Sequence, residues 1–123
     1  ISFYWNQAAK FISDESECQK IQNNPELLKP LVEKTLTFSN KLRNPRTLAI
    51  ITHAIAKISF RTGKTIIDSE KLWKVLEGNI VEAAKDETFD SRSCANILWA
   101  FAKINRTSHH LFTLMEKKKY YLE

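Results

Sequence analysis

The chain has 123 residues, a net charge of +5, only two glycines and three prolines. This length allows one domain with its own hydrophobic core. Because helix-favouring residues are abundant and helix breakers are few, we expect an all-α fold rather than a sheet. No apolar run approaches the roughly 18 residues that a transmembrane helix needs, so we expect no membrane association.

The N-terminus and the two cysteines bear on compartment and cofactors. Ile1 stands where a methionine would begin a chain, and no signal-peptide pattern follows, so we expect a processed or truncated N-terminus. Cys18 and Cys94 are isolated from each other and from any histidine pattern. We therefore expect buried reduced thiols in an intracellular or organellar compartment, with no metal site and no cofactor.

The positive charge is concentrated in one part of the chain. Residues 1–40 contain four lysines against five acidic residues, a net −1, whereas residues 41–123 contain fifteen basic against nine acidic residues, a net +6. A basic region of this kind indicates a polyanionic partner. Ordinary solubilising charge explains it equally well.

The first forty residues predict one pair of helices. The first helix is expected over residues 2–14 and the second over residues 25–42, where Asn24 is the N-cap and Pro30 lies near the first turn. This pair resembles the later ones least.

Two further helix pairs follow, and each predicted helix is preceded by residues that favour an N-cap. Apolar residues at helical spacing extend from each cap. The predicted helices are 45–60 after Asn44-Pro45, 69–86 after Asp68-Ser69, 91–104 after Asp90-Ser91, and 108–122 after Thr107-Ser108.

The first helices of the second and third pairs match each other without a gap. Residues 46–58 and 92–104 both begin with arginine, and Ala56-Lys57-Ile58 recurs as Ala102-Lys103-Ile104, at an offset of 92 − 46 = 46 residues. A fixed offset of this size is the signature of helical repeats, in which each unit buries its apolar face against the next. We predict an α-solenoid of about three antiparallel helix pairs in a single domain, with units at residues 1–42, 44–86 and 90–122. Since neither end is polar, we expect more protein or a partner beyond one or both ends.

The segment from Ser59 to Asp68 is predicted to be a loop inserted between paired helices. Its Gly63-Lys64-Thr65 is reminiscent of a P-loop, but that motif needs a second glycine five residues earlier, where Ile58 stands. We therefore predict no nucleotide site. Instead, Arg61 and Lys64 are expected to form an exposed basic loop that contacts RNA.

One side of each first helix carries the candidate binding residues. At about 100° per residue, Arg46, Ile50, His53 and Lys57 lie within roughly 60° of one another. Such a stripe offers cations for phosphates, rings for bases and an amide for a base edge, which suits single-stranded RNA. The matching stripe in the third unit is Arg92, Asn96, Trp99 and Lys103, and that in the first unit is Phe3, Asn6 and Lys10. From the second and third units, the residues predicted to bind RNA are Arg46, His53, Lys57, Arg92, Asn96, Trp99 and Lys103.

These residues also have structural explanations of different strength. Lys57 and Lys103 lie in last helical turns, where the helix dipole favours a cation. Arg46 and Arg92 lie in first turns, where a cation is disfavoured by roughly 0.3 to 1 kcal/mol, so a ligand or a salt bridge to an adjacent unit is needed to explain them. For Trp99, packing between helices is favoured over stacking on a base by about three to two. Histidines such as His53 are also more often packed or exposed than ligand-binding.

Residues 95–104 (ANILWAFAKI) resemble the first-helix motif of octotricopeptide and heptatricopeptide repeat proteins, and of related helical regions in FAST-kinase-like and RAP-domain proteins. Residues 48–58 are a weaker copy, and the resemblance covers roughly residues 44–122. It implies a nuclear-encoded organellar protein, mitochondrial or alternatively plastid, that binds RNA along an α-solenoid as a ribosome component, assembly factor or RNA-processing factor. The unit of 46 residues is longer than the family's, and no RAP domain is recognisable.

The leading hypothesis is a noncatalytic α-solenoid that binds organellar ribosomal RNA beside neighbouring ribosomal or repeat proteins. An enzyme is disfavoured because no catalytic arrangement of serine, cysteine and histidine and no glycine-rich phosphate cradle is recognisable, and no small-molecule substrate is expected. The alternative is a protein-interaction scaffold of the tetratricopeptide or HEAT kind. A third possibility is the helical part of a longer enzyme.

Overall fold

The structure, a computed structural model, describes residues 1–63, 69–86, 89–106 and 111–115, and within these ranges the chain is helical with no strand. This confirms the all-α prediction. No helix in this part of the chain is long and apolar enough to cross a bilayer. The helices are α1 (Ser2–Phe11), α2 (Glu15–Asn23), α3 (Lys29–Thr37), α4 (Pro45–Thr62), α5 (Ser69–Asp86) and α6 (Ser91–Lys103), with 3₁₀ turns at Pro25–Leu28 and Ser39–Lys41 and further helical residues at 111–115.

Side-chain caps fix the starts of α4 and α6. The side-chain oxygen Oδ1 of Asn44 accepts a hydrogen bond from the Thr47 N–H at 3.1 Å, and the Asp90 carboxylate accepts one from the Ser93 N–H at 2.7 Å. Each bond satisfies a donor that the helix itself leaves unpaired. The predicted starts at residues 45 and 91 are therefore confirmed, whereas the predicted caps at 68 and at 107–108 lie outside the described residues.

The first unit differs from its prediction at α2. The first helix ends at Phe11 rather than residue 14, and residues expected to connect two helices form a helix of their own. The Asp14 carboxylate accepts hydrogen bonds from the N–H groups of Ser16 and Glu17 at 2.9 and 3.2 Å. An acidic cap with glutamate three residues later is a helix-start signal that the interpretation of the sequence overlooked.

The second helix of the first unit is also shorter than predicted. Instead of one helix over 25–42, the chain forms the turn Pro25–Leu28, then α3, then the turn Ser39–Lys41. Pro30 explains the first break, because a proline has no N–H to bond the carbonyl four residues earlier. The α-helical hydrogen bonding therefore starts again around this proline.

At its other end α4 runs to Thr62, two residues beyond the predicted end at residue 60, and so includes the first four residues of the segment 59–68 that was predicted to be a loop. Gly63 ends the helix in the left-handed conformation, with φ 66°, and its N–H bonds the Ser59 carbonyl at 3.0 Å. Side chains of α2 satisfy further carbonyls of this last turn: Gln22 Nε2 donates to Thr62 O at 3.0 Å and the Cys18 thiol to Arg61 O at 3.8 Å. The unpredicted α2 thus holds the end of α4.

The core is centred on α4, which contacts α1, α2, α5 and α6. Its apolar side is completely buried, as predicted from the helical spacing, at Leu48, Ile51, Ile55 and Ile58. Helix α3 contacts α5, so the later helices of the first two units also pack against each other. The largest side chains without exposed surface come from outside α4: Trp5, Phe89 and Phe101. Cys94 is buried as expected, but Cys18 is only half-buried.

One buried hydrogen bond connects α1 with α3. The indole N–H of Trp5, a residue with no exposed surface, donates to the Thr35 hydroxyl at 2.9 Å. The same hydroxyl donates to the Leu31 carbonyl at 2.7 Å. Since Trp5 lies on α1 and Thr35 on α3, this bond fixes the distance between the two helices.

We expect Thr35→Val to lower the free energy of unfolding by about 1 to 3 kcal/mol, because the Trp5 N–H would remain buried without an acceptor. Urea denaturation followed by circular dichroism measures this. Thr37→Val is the matched control on the same helix, since the Thr37 hydroxyl is exposed and bonds only the Glu33 carbonyl. Its effect is expected to stay within about 0.5 kcal/mol. Equal losses in the two variants would contradict the assignment.

Candidate nucleic-acid interface

Helices α4 and α6 lie side by side and run in the same direction. Near their starts, Arg46 and Arg92 line one concave site of about 300 Å³. Near their ends, the Lys103 ammonium lies 4.5 Å from the centre of the Phe60 ring. The predicted stripes of the second and third units therefore meet along one surface, here called the α4–α6 groove: Arg46, Ile50, His53 and Lys57 from α4 with Arg92, Asn96, Trp99 and Lys103 from α6.

The N-terminal end of the α4–α6 groove carries two arginines around one carboxylate. Both arginines are exposed, and the site that they line also includes Asp90 and Asn96. Hydrogen bonds from Ser93 lower the pKa of Asp90 most, and the charges of Arg46 and Arg92 lower it further. Among the described residues neither guanidinium forms an ion pair. The salt bridge that would have explained these arginines structurally is thus not observed in this part of the chain.

The middle of the α4–α6 groove is an aromatic pair. The His53 and Trp99 ring centres are 4.6 Å apart, with the planes inclined by 32°. Trp99 nevertheless keeps 36% of its surface exposed. The packing explanation and the stacking explanation for Trp99 are therefore compatible, because the indole contacts His53 and still offers surface to a ligand.

The pKa of His53 is lowered from its ordinary value, which favours the neutral imidazole near neutral pH. Burial lowers its pKa most, and the nearby positive charge of Lys57 lowers it further. The histidine therefore adds no third cation to the centre of the groove. Its effect there is to support the Trp99 ring from the neighbouring helix.

The C-terminal end combines a cation with two rings. Lys103 Nζ lies 4.5 Å from the Phe60 ring centre and 5.7 Å from that of Trp99, both within the range of cation–π attraction. Phe60 is 58% exposed. The interpretation of the sequence missed this ring because it placed residue 60 at the end of α4 and the start of a loop. Its spacing of seven residues from His53 places it two helical turns further along the same side, which was the available signal.

A second basic residue at this end is already neutralised. Arg106 pairs with Glu70 at 3.0 Å and with Glu77 at 3.2 Å, joining the end of α6 to α5. Arg106 and Glu70 border a concave site of about 530 Å³ together with Phe60 and Lys103. Of the charges there, Lys103 is the cation for which the described residues show no acidic partner.

The remaining predicted residues are not brought into the α4–α6 groove. Arg61 is exposed in the last turn of α4, with no described contact between its side chain and the groove, and Lys64 lies outside the described residues. Phe3, Asn6 and Lys10 are exposed on α1, where the Phe3 ring packs edge-on against Tyr4. The prediction of a basic loop is therefore wrong for Arg61, which belongs to the helix, while the RNA contacts of Arg61, Lys64 and the first-unit stripe stay predictions.

Within the described residues no cluster of histidine, cysteine and carboxylate side chains has the composition of a metal site. Comparisons of the chain with protein-family models, with curated protein sequences and with solved structures gave no match. What the α4–α6 groove does must therefore be argued from its own residues.

We expect the pKa of His53 to lie below the usual value of about 6.5 in an NMR pH titration. Trp99→Ala removes the ring against which His53 is buried, and it is expected to raise that pKa towards the usual value. Lys57→Gln removes the smaller cause, so a smaller rise is expected. A larger rise in Lys57→Gln than in Trp99→Ala would contradict the order of the two causes.

The same shift predicts a pH dependence of stability. As pH falls below about 6.5, the unfolded chain binds the His53 proton before the folded chain does, so the free energy of unfolding decreases until the folded pKa is passed. Urea denaturation at several pH values in this window measures the decrease. In His53→Gln the decrease is expected to be smaller than in the wild type, and an unchanged profile would contradict the shift.

Proposed function

We propose that the chain is a noncatalytic RNA-binding protein and that the α4–α6 groove holds single-stranded RNA. The observation that carries the proposal is the convergence of Arg46 and Arg92 on one concave site without an ion pair among the described residues. An exposed indole and a further cation lie along the same groove. Along its length, the groove therefore offers two arginines for one phosphate, an indole for a base and a lysine for a second phosphate.

The arginine end is suited to a phosphate for two reasons. Two parallel helices begin there, and helix N-termini attract anions through their free N–H groups and their dipoles. The same dipoles disfavour cations, and the Asp90 carboxylate that lies with Arg46 and Arg92 offsets part of this cost. Two guanidinium groups against one carboxylate leave a net positive charge at this end, which a bound phosphate neutralises.

The middle of the α4–α6 groove offers a ring for a base, and its C-terminal end offers a cation for a second phosphate. A base stacked on an aromatic ring contributes about 1 to 3 kcal/mol, and Trp99 is exposed and braced by His53. Lys103 lies eleven residues after Arg92, or about 16 Å along the helix at 1.5 Å per residue. The two cations therefore lie on either side of the ring along α6.

The wider assignment rests on architecture and resemblance. We propose that the helix pairs form an α-solenoid unit; the side-by-side order of α1, α4 and α6 and the contact between α3 and α5 support it. The motif at residues 95–104 supports an organellar setting, mitochondrial or plastid, with ribosomal RNA as the partner. That part of the proposal is an analogy between sequences and depends on no measured contact.

Charge reversal tests the phosphate contacts. We expect Arg46→Glu with Arg92→Glu to weaken binding of fluorescein-labelled oligouridylate at least about tenfold at low salt, measured by fluorescence anisotropy. The slope of log K against log salt is expected to decrease by about 0.7 for each lost phosphate contact.

Lys71→Glu with Lys74→Glu is the matched control, because both lysines are exposed on α5 and the change in net charge is the same. If both double variants weaken binding equally, the effect is nonspecific charge and the α4–α6 groove is not the site. Wild-type protein that shows no binding at low salt would refute the proposal as a whole.

Tryptophan fluorescence tests the stacking contact. Trp5 and Trp73 are buried and Trp99 is exposed, so we expect oligouridylate to quench the emission of Trp99. Trp99→Phe should abolish most of the quenching while retaining part of the affinity, and Trp99→Ala should weaken binding by about 1 to 3 kcal/mol. Quenching that survives in Trp99→Phe would place the bound bases elsewhere.

The second candidate is a protein-interaction scaffold. It is favoured by an apolar groove of about 410 Å³ beside α1, lined by Tyr4, Phe11 and Leu27 among others. On this hypothesis, reversal of Arg46 and Arg92 disrupts a protein complex and leaves crosslinking to RNA unchanged. Crosslinking of the native protein to RNA, compared between the wild type and the double variant, separates the two candidates.

A further inference from the structure

The C-terminal end of the α4–α6 groove borders the concave site of about 530 Å³, here called the end cavity. Phe60 and Lys103 belong to both, so a strand that lies along the groove reaches the end cavity after passing Trp99. The proposed function gives this cavity no ligand. Its other polar lining residues are Ser59, Ser69, Glu70, Asn105 and Arg106.

The charges of the end cavity argue against a further phosphate there. Lys103 is already the cation proposed for the second phosphate of the strand. Beside it, the Arg106 guanidinium pairs with Glu70 at 3.0 Å and with Glu77 at 3.2 Å, and one guanidinium against two carboxylates leaves a net negative charge. Helices α4 and α6 also end at this cavity, and helix C-termini disfavour anions. The cavity therefore suits an uncharged group that donates hydrogen bonds.

A ring and a carboxylate in the end cavity match the two sides of a nucleic-acid base. Phe60 is 58% exposed, so its ring offers surface on which a base can stack. Both oxygens of Glu70 accept from one atom, Nη1 of Arg106, at 3.1 and 3.0 Å. Because a carboxylate has about four lone-pair sites, both oxygens can accept further hydrogen bonds. Arg106 thus holds in place a carboxylate that can still accept two donors.

The turn at the end of α6 adds an amide to the same cavity. The Asn105 N–H bonds the Ala102 carbonyl at 3.1 Å, and the Arg106 N–H bonds the Phe101 carbonyl at 2.9 Å. This turn gives Asn105 a φ of 56°, in the left-handed region where glycine is the usual residue. An asparagine at this position closes the helix as glycine would, and it also provides an amide that donates and accepts hydrogen bonds.

We propose that the end cavity binds a guanine base of the RNA strand. Guanine is the one standard RNA base whose Watson–Crick edge has two adjacent donors, N1–H and the N2 amino group, and these match the two oxygens of Glu70. The Asn105 amide donates to guanine O6, and the base stacks on Phe60. Glu70 is then the residue that determines specificity. This inference rests on the proposed binding of RNA in the α4–α6 groove.

Competition against fluorescein-labelled hexauridylate, measured by fluorescence anisotropy at low salt, tests the proposal. The competitors are unlabelled hexauridylates in which one terminal residue is guanosine, adenosine or inosine. We expect guanosine at one of the two termini to bind at least about fivefold more tightly than adenosine at the same terminus. Inosine lacks the N2 amino group and is expected to lose most of this preference. Free guanosine 5′-monophosphate is expected to compete far more weakly, because it lacks the groove contacts.

Variants at the end cavity assign the preference to its residues. Glu70→Gln replaces one acceptor oxygen by a donor, so the ratio of guanosine to adenosine affinity is expected to fall close to one. Glu82→Gln is the matched control, since it removes the same charge from α5 at an exposed residue that also forms an ion pair, with Lys85. It is expected to leave the ratio unchanged. Asn105→Gly suits the left-handed turn, so it is expected to stay folded and also to lower the ratio.

The outcomes separate this inference from the proposed function. Hexauridylate that binds without any preference for a terminal guanosine overturns the inference alone, whereas hexauridylate that does not bind overturns both. A preference that inosine retains in full, that survives in both Glu70→Gln and Asn105→Gly, or that Glu82→Gln removes equally also overturns the inference. Guanosine 5′-monophosphate that competes as strongly as the strand would assign the cavity to a free nucleotide instead. Circular dichroism checks folding, and Asn105→Gly decides if Glu70→Gln unfolds.

Discussion

The structure depends on the burial of α4 among the helices that surround it. Leu48, Ile51, Ile55 and Ile58 have no exposed surface, and such a long fully buried side is possible only because α1, α5 and α6 all contact this one helix. Helix α6 packs along α4, and this packing brings the polar stripes of the two helices into contact. The α4–α6 groove is thus a consequence of the core, because the register that buries the isoleucines also places His53 against Trp99.

The length of α4 matters as much as its position. Residues 59–62 continue the helix to the left-handed turn at Gly63, and this extension carries Phe60 to the Lys103 ammonium. Gln22 and Cys18 of α2 donate hydrogen bonds to the last carbonyls of the helix, which have no acceptor role within the helix itself. A short helix with no buried residue of its own therefore stabilises the far end of the candidate site.

Patterns that act locally could be predicted, and those that depend on distant residues could not. The caps Asn44 and Asp90 predicted the starts of α4 and α6, and the apolar spacing predicted the buried side of α4. Each of these features depends on residues within one or two helical turns. Helix α2 was not predicted, the helix over 25–42 was wrongly predicted to be continuous, and α4 ends two residues later than predicted. The residues of each stripe were identified from helical spacing, but this spacing only shows which residues share one side of the same helix. That Arg46 reaches the same concave site as Arg92 depends on how two helices pack.

The two thiols lie at different depths, and this gives the chain two internal reporters of its own opening. The Cys18 thiol is half-buried and bonded to the end of α4, whereas Cys94 is buried in α6. A thiol reagent can therefore reach Cys18 through a local separation of α2 from α4, while Cys94 requires α6 to leave the core. The difference between the two labelling rates measures how independently the α2 flank opens from the packed first helices.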